Sequence, residues 1–258
     1  MPLQLLRMFA LTALLAFGAV SAQPSPQELL IHSDAVRNPG RAFSVKVSLA
    51  EFEAGRQVDA STLVSYSKAL ESGAQFATLV RFVDPARDAG KLLLRNGHDL
   101  WFFDPGTKAS IRISPQQRLM GQAANGDVLT VNLANDYDAS LLAEEEIMDG
   151  EKRKRKSYKL GLTARVDAAT YATVELWIDA ENQRPLKARF LAESGRLLKT
   201  AFFRRYQMQL GRERPTETVI IDGLNPQAVT LIRFSEFATP TIPSTWFNRD
   251  HLSRFQPE

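Results

Sequence analysis

The side chains able to do chemistry in this chain are few, and their spacing is decisive. Three histidines, His32, His98 and His251, stand far apart, and there is no cysteine. Thiolate nucleophiles, disulfide staples and Cys-based zinc or iron–sulfur sites are therefore excluded, and little remains to hold a metal. A Ser–His pair would require distant segments to meet, and the sequence has no Gly-x-Ser-x-Gly elbow, phosphate-binding glycine loop or dinucleotide fingerprint. The sequence predicts no catalytic residue, no metal and no cofactor. One charged cluster stands out, Lys152-Arg153-Lys154-Arg155-Lys156, of a kind that would suggest nucleic acid or anionic lipid in a basic domain. Here it follows Glu144-Glu145-Glu146, Asp149 and Glu151. A solvated hairpin with locally compensated charge is the expectation, and an electrostatic dock for an acidic partner or anionic headgroups is the alternative. With 32 basic against 29 acidic residues over the chain, a dedicated nucleic-acid binder is not expected.

The other candidate chemistry is apolar. Phe76, Phe82, Trp101, Phe102, Phe103, Trp177, Phe190, Phe202, Phe203, Phe234 and Phe237 all fall in β-like runs, and core packing accounts for most of them. Residues 76–83 and 100–103 are apolar on both faces. A sheet with helices over one side and a greasy concavity between would use such strands, and that is the architecture of an apolar-ligand carrier.

These residues are positioned by elements legible in the hydrophobic rhythm. A helix is predicted over residues 25–38, with Leu29, Leu30 and Val36 on its apolar side and Asn38-Pro39-Gly40 as its stop. Strict alternation follows: Phe43, Val45, Val47 and Leu49 face one way, and Ser44, Lys46 and Ser48 the other. Further strands are predicted at 60–70, 74–83, 90–95, 98–103, 108–113, 157–166, 170–179, 184–193, 197–210, 216–222 and 228–236, spaced as in a sandwich, barrel or strongly curved antiparallel sheet. Asn96-Gly97 and Asp104-Pro105-Gly106 supply turns. Two stretches break the rhythm, residues 114–148 and the tail from Pro243 to Phe255, and both read as helical or irregular. Ser114-Pro115 and Asp138 look like helix starts. An excursion this long suggests a functional lid, with Gly121, Gly126, Met120 and Met148 lending mobility.

The first 22 residues read as a cleaved secretory signal: Arg7 precedes an apolar run from Met8 to Val20, and Val20-Ser21-Ala22 supplies small residues before a cut at Gln23. The run is shorter than the ~18 apolar residues of a membrane span, and without a cysteine no lipid anchor can follow it. The expectation is an exported, soluble, single domain over residues 23–258.

The run Asn96-Gly97-His98-Asp99-Leu100-Trp101-Phe102-Phe103-Asp104-Pro105 resembles the Gly-x-x-Leu-Trp hairpin of the periplasmic lipoprotein-localisation carriers, the LolA-like superfamily. Ser114-Pro115-Gln116-Gln117-Arg118-Leu119-Met120, Asn135-Asp136-Tyr137-Asp138, Trp177-Ile178-Asp179 with Pro185-Leu186-Lys187, and Gly195-Arg196-Leu197-Leu198-Lys199-Thr200 extend the resemblance to the family of outer-membrane lipoprotein-sorting proteins. It implies an unclosed antiparallel β-barrel of about eleven strands, of mainly β, α+β class, wrapped around plug and lid helices, here residues 25–38 and 114–148. It also implies a periplasmic, non-enzymatic carrier of acyl chains of a lipoprotein or other lipid, touching membranes only peripherally or transiently. One departure matters. The carriers proper have a basic residue followed by Pro after the Leu-Trp of an early strand, and its Arg holds the lid. Residues 65–71 here contain Lys68-Ala69-Leu70 and no Pro, so neither that gate nor a lipoprotein cargo transfers. An inner-membrane transporter of the resistance-nodulation-division class is a partner suspected for this subfamily.

The expected cavity lining is Phe43, Val45, Val47, Leu176, Ile178, Leu186 and Phe190 from strands, with Leu119 and Met120 from the lid. An envelope interaction module of the same fold without cargo is the main alternative, separated from a carrier by bound lipid. An outer-membrane barrel is disfavoured, because Lys187 and Arg189 alternate where lipid would lie.

Overall fold

Ser25 opens the first helix, α1 (Pro26–Arg37), through a capping box: the Glu28 amide donates to Ser25 Oγ at 3.3 Å, and the Ser25 amide donates to Glu28 Oε2 at 2.7 Å. The computed structural model describes residues 24–70 and 75–257. The signal-peptide expectation for residues 1–22 lies outside them. Among the described residues no helix is long and apolar enough to cross a membrane.

After α1 the chain is dominated by strands: β1 (Phe43–Glu53), β2 (Arg56–Ala69), β3 (Phe76–Asp84), β4 (Leu92–Asn96), β5 (Asp99–Asp104), β6 (Ala109–Arg112), β7 (Arg118–Met120), β8 (Ala123–Ala124), β9 (Tyr137–Met148), β10 (Lys154–Ala164), β11 (Thr173–Asp179), β12 (Pro185–Leu191), β13 (Leu197–Gln209), β14 (Arg212–Asp222) and β15 (Ala228–Ala238). Thirteen form one antiparallel sheet in the order β6-β5-β4-β3-β2-β1-β15-β14-β13-β12-β11-β10-β9, and β7 pairs only with β8. The sheet is not closed into a barrel. Tight turns set the register, as at Ala54-Gly55, where both residues have positive φ (48° and 79°) and β1 reverses into β2.

This order dictates what happens inside. The chain starts mid-sheet, works outward by hairpins to the edge strand β6, and must then cross to the opposite edge, β9, before returning inward to pair β15 with β1. Residues 113–136 are that crossing. They run through the concavity and contribute Met120, Ala123, Val128, Leu129 and Val131 to a core shared with Phe43, Val45, Val47, Leu63 and Ile232. Leu29 and Leu30 of α1 close the other half of the trough against Leu160, Leu162, Val174 and Leu176.

Two expectations change. The crossing is not a helical lid: it holds β7, β8, a 3₁₀ turn at Asn125–Val128 and a single α turn, α2 (Leu133–Asp136). The helix predicted from Asp138 is the edge strand β9, which joins the twelve strands read from the sequence to give a sheet of thirteen, against the about eleven that the resemblance implies. Its leucines and glutamates favour a helix when isolated, but β10 offers a full ladder, from Tyr137 opposite Ala164 to Met148 opposite Lys154. Cross-strand charge supports it, with Lys154 on Glu146 at 3.0 Å.

The second correction concerns strands apolar on both faces. The outer face of β3–β5 presents Leu79, Leu92, Leu94 and Phe103, and the C-terminal segment covers it with Ile242, Phe247 and Leu252. Trp246 packs edge-on against Tyr66 and Phe255 at 5.2 and 4.7 Å, and the Asn96 side chain donates to Phe247 O at 3.0 Å. The second apolar face therefore serves this cover rather than a ligand cavity.

Candidate ligand-binding cavity

Between the concave face and the crossing segment lies a cavity of about 170 Å³, well above the ~10–15 Å³ that one water requires. Alternation places its walls: Phe43, Val45 and Val47 of β1, Val174 and Leu176 of β11, Ala188 and Phe190 of β12, Ala201 and Phe203 of β13, Thr218 and Ile220 of β14, Ile232 and Phe234 of β15. Its roof is Gly126–Leu133 with Tyr171. Of the nine residues expected to line it, Phe43, Val45, Val47, Leu176 and Phe190 do so. Ile178 is buried in the core beneath α1, Leu186 borders a charged cleft near Tyr206 and Arg184, and Leu119 and Met120 border a small separate cleft beside Leu49 and Phe82. Sequence reasoning missed the β13–β15 walls, although their alternation resembles that of β1. It missed the roof because irregular backbone carries no period.

The roof is fastened by polar contacts. The buried Lys199 of β13 forms an ion pair with Asp127 and donates to Gln122 O at 2.9 Å, while Tyr171 Oη donates to Asp127 Oδ1 at 3.0 Å. Ser67 and Thr130 share a hydroxyl hydrogen bond of 2.7 Å. Asn38 Nδ2 donates to Val131 O at 2.8 Å, and Gln75 Nε2 to Asn132 O at 2.9 Å. Arg95 and Asp136, both buried, meet at 3.2 Å, and the Ala134 amide donates to Asp34 Oδ2 at 2.8 Å. Burial raises the Asp34 carboxyl above its ordinary range although Arg37 pulls the other way. Burial also pushes the Tyr137 phenol up to about 12, and the buried Tyr171 phenol is raised for the same reason, reinforced by Asp127. Both phenols are neutral donors.

Gly126 brings roof and wall together: a Cβ there would stand 2.1 Å from Thr170 Oγ1. Its role is close approach rather than mobility, and Met148 lies away from the roof, at the end of β9. Ser65 Oγ is buried on the cavity wall with no hydrogen-bond partner among the described residues. The arrangement can enclose an apolar group and offer it one hydroxyl. The three histidines lie apart, on α1, in the β4–β5 turn and in the last 3₁₀ helix.

A family model described as "Uncharacterized protein" matches residues 75–254, and no curated protein matches the chain. Among solved structures, a LolA superfamily protein from Nitrosomonas europaea is 33% identical, covers 89% of this chain and 100% of its own, and superposes with a TM-score of 0.79. A putative outer membrane lipoprotein-sorting protein domain from Vibrio parahaemolyticus, at 20% identity over 89% of this chain and 98% of its own, gives a TM-score of 0.75. A DUF1329 family protein from Desulfovibrio piger, 21% identical over 89% of this chain and 100% of its own, gives 0.74. The last two speak for the fold alone; the first, alike in fold and in sequence along nearly the whole chain, shows that this protein belongs to the LolA superfamily.

Proposed function

We propose that the chain is an exported, periplasmic carrier that shelters the acyl chains of a lipid or lipoprotein under the crossing segment and ferries them between membranes, or to or from an inner-membrane transporter, with the resistance-nodulation-division class as the candidate. The observation that carries this reading is the apolar cavity between the concave sheet and a roof held by polar contacts. A ~16-carbon chain resists water by about 12 kcal/mol at ~0.8 kcal/mol per methylene, so a soluble protein that hides it removes most of the barrier to leaving a membrane. At about 170 Å³ the cavity is smaller than the ~300–1,000 Å³ that encloses a drug-sized ligand. A long chain therefore enters as the roof lifts, and directional polar fastenings can be exchanged with water during that step at modest net cost. Ser65 Oγ would meet a polar atom of the cargo, such as an ester oxygen. The reading assigns no catalytic step.

The test is mass spectrometry of an organic extract from natively purified protein, with titration of a fluorescent fatty acid. Stoichiometric lipid in the extract and saturable probe binding are expected; an empty extract together with no probe binding would refute the carrier.

A further inference from the structure

The basic run of residues 152–156 does not lie out in solvent by itself. The β9–β10 turn folds back onto β13: Gly150 O accepts from Arg204 Nη1 at 3.4 Å, and the Arg205 amide donates to Glu151 Oε1 at 3.0 Å. Arg204 shares its face of β13 with Phe202, opposite the cavity-lining Ala201 and Phe203. There Glu217, with no exposed side-chain surface, gathers three guanidinium groups, from Arg204, Arg205 at 3.3 Å and Arg233 at 2.7 Å. Each engages the carboxylate through Nε, and the side chains of Arg205 and Arg233 are 58% and 50% exposed. Arg153 joins them on Glu151 at 3.3 Å, and the neighbouring Lys152 is exposed. Asp149 of the same turn is taken by Arg155 and by the turn's own amides. Five cations thus converge from three separate segments of the chain around the two carboxylates of Glu151 and Glu217, while Asp149, Asp179 and Glu213, which line the cleft beside Arg153 and Arg204, are paired with Arg155 and Arg184.

From this we infer that the patch formed by Lys152, Arg153, Arg204, Arg205 and Arg233 is a docking surface for an anionic phospholipid bilayer. Charge complementarity supports the assignment: four of the five cations are forked guanidinium groups that suit phosphate oxygens, and none of the five lines the ligand cavity. A buried carboxylate fixing three arginines spends one charge to orient several, so the surface is preorganised rather than a set of free side chains. The inference goes beyond the carrier reading and stands on different residues.

Flotation of the chain lacking residues 1–22 with vesicles tests it. Binding is expected to phosphatidylcholine vesicles containing phosphatidylglycerol and not to phosphatidylcholine alone, and it should fade between ~0.1 and ~1 M salt as the screening length falls from ~10 to ~3 Å. Each cation near such a surface is worth about five-fold in affinity. K152Q/R153Q, which leaves Glu217 and its arginines intact, should therefore bind roughly 25-fold more weakly. R205Q/R233Q should weaken binding similarly, but it disturbs a buried carboxylate and is interpreted only if circular dichroism is unchanged. Equal binding to both vesicle types, unaltered binding by K152Q/R153Q, or full displacement by soluble glycerophosphoglycerol would overturn the bilayer as occupant. Probe uptake by the cavity, read in parallel, reports separately on the carrier reading.

Discussion

Lys199 and Asp127 join β13 to the roof of the cavity by an ion pair whose lysine is buried and whose carboxylate is nearly so, with the ammonium group lying 4.9 Å from the Tyr171 ring and 5.3 Å from that of Phe190. Two aromatic faces, a carbonyl and a carboxylate satisfy the cation where water cannot, so an otherwise costly charge becomes a fastening between the crossing segment and the sheet.

Removing one partner should expose that arrangement. Lys199→Met leaves Asp127 with Tyr171 and the Ala124 amide as its donors, and a loss of about 3–5 kcal/mol is expected for a buried charge stripped of its partner. The double variant K199M/D127N should recover part of the loss. Urea denaturation of the wild type, K199M, D127N and the double variant measures it, and additive losses would show that the pair is not coupled.

Cavity position and core position are separated by charge insertion. Val45→Glu and Leu176→Arg each place a charge on the cavity wall, where water in the open space can keep it hydrated. The expected result is a preserved β-type circular dichroism spectrum with loss of fluorescent fatty-acid binding. Global unfolding of both variants would mean that these side chains are sealed core.

Close approach at the roof gives a third test. Gly126→Ala would press a methyl group onto Thr170, whose Oγ1 and Cγ2 lie 2.1 and 2.6 Å from that position, and overpacking of this kind costs about 1–3 kcal/mol. Adding Thr170→Ala removes both of those atoms and should restore part of the lost melting temperature, which differential scanning calorimetry would record.

Acid should weaken the outer-face cluster. Burial by itself would raise the Glu217 carboxyl, but hydrogen bonds from Arg233 and Arg204 and the charges of Arg204 and Arg205 hold it below the ordinary carboxylate value. A group with a depressed folded pKa contributes stability that is present above its unfolded value, near ~4.3 for Glu, and is lost as pH falls through the folded one. Glu217→Gln should therefore be less stable than the wild type at neutral pH, by about 2–3 kcal/mol for lost charged hydrogen bonds. The gap should begin to narrow as pH falls below that unfolded value and close as pH falls through the depressed folded one. Melting temperature against pH for the two proteins provides the comparison.

Much of the molecule was legible from residue order because its causes are local. Ser25 and Glu28 announce the start of α1, the alternation of Phe43, Val45 and Val47 assigns a wet and a dry face to β1, and Asn96-Gly97 places a hairpin turn. Charge compensation along the strands of the 150s hairpin was also readable, since Glu146 lies close in sequence to Lys154 and Lys156 and meets both across one ladder. What only the tertiary structure decided depends on partners far along the chain. Residues 137–148 carry side chains that suit a helix, and they became strand because β10 satisfies their backbone. Residues 113–136 have no period, and their path through the trough follows from the sheet order, which obliges the chain to cross from one edge to the other. The double apolar face of β3–β5 pointed to a ligand, yet the tail from Ile242 to Phe255 covers it. Burial records that a surface is dry, while sequence alone does not record what dries it.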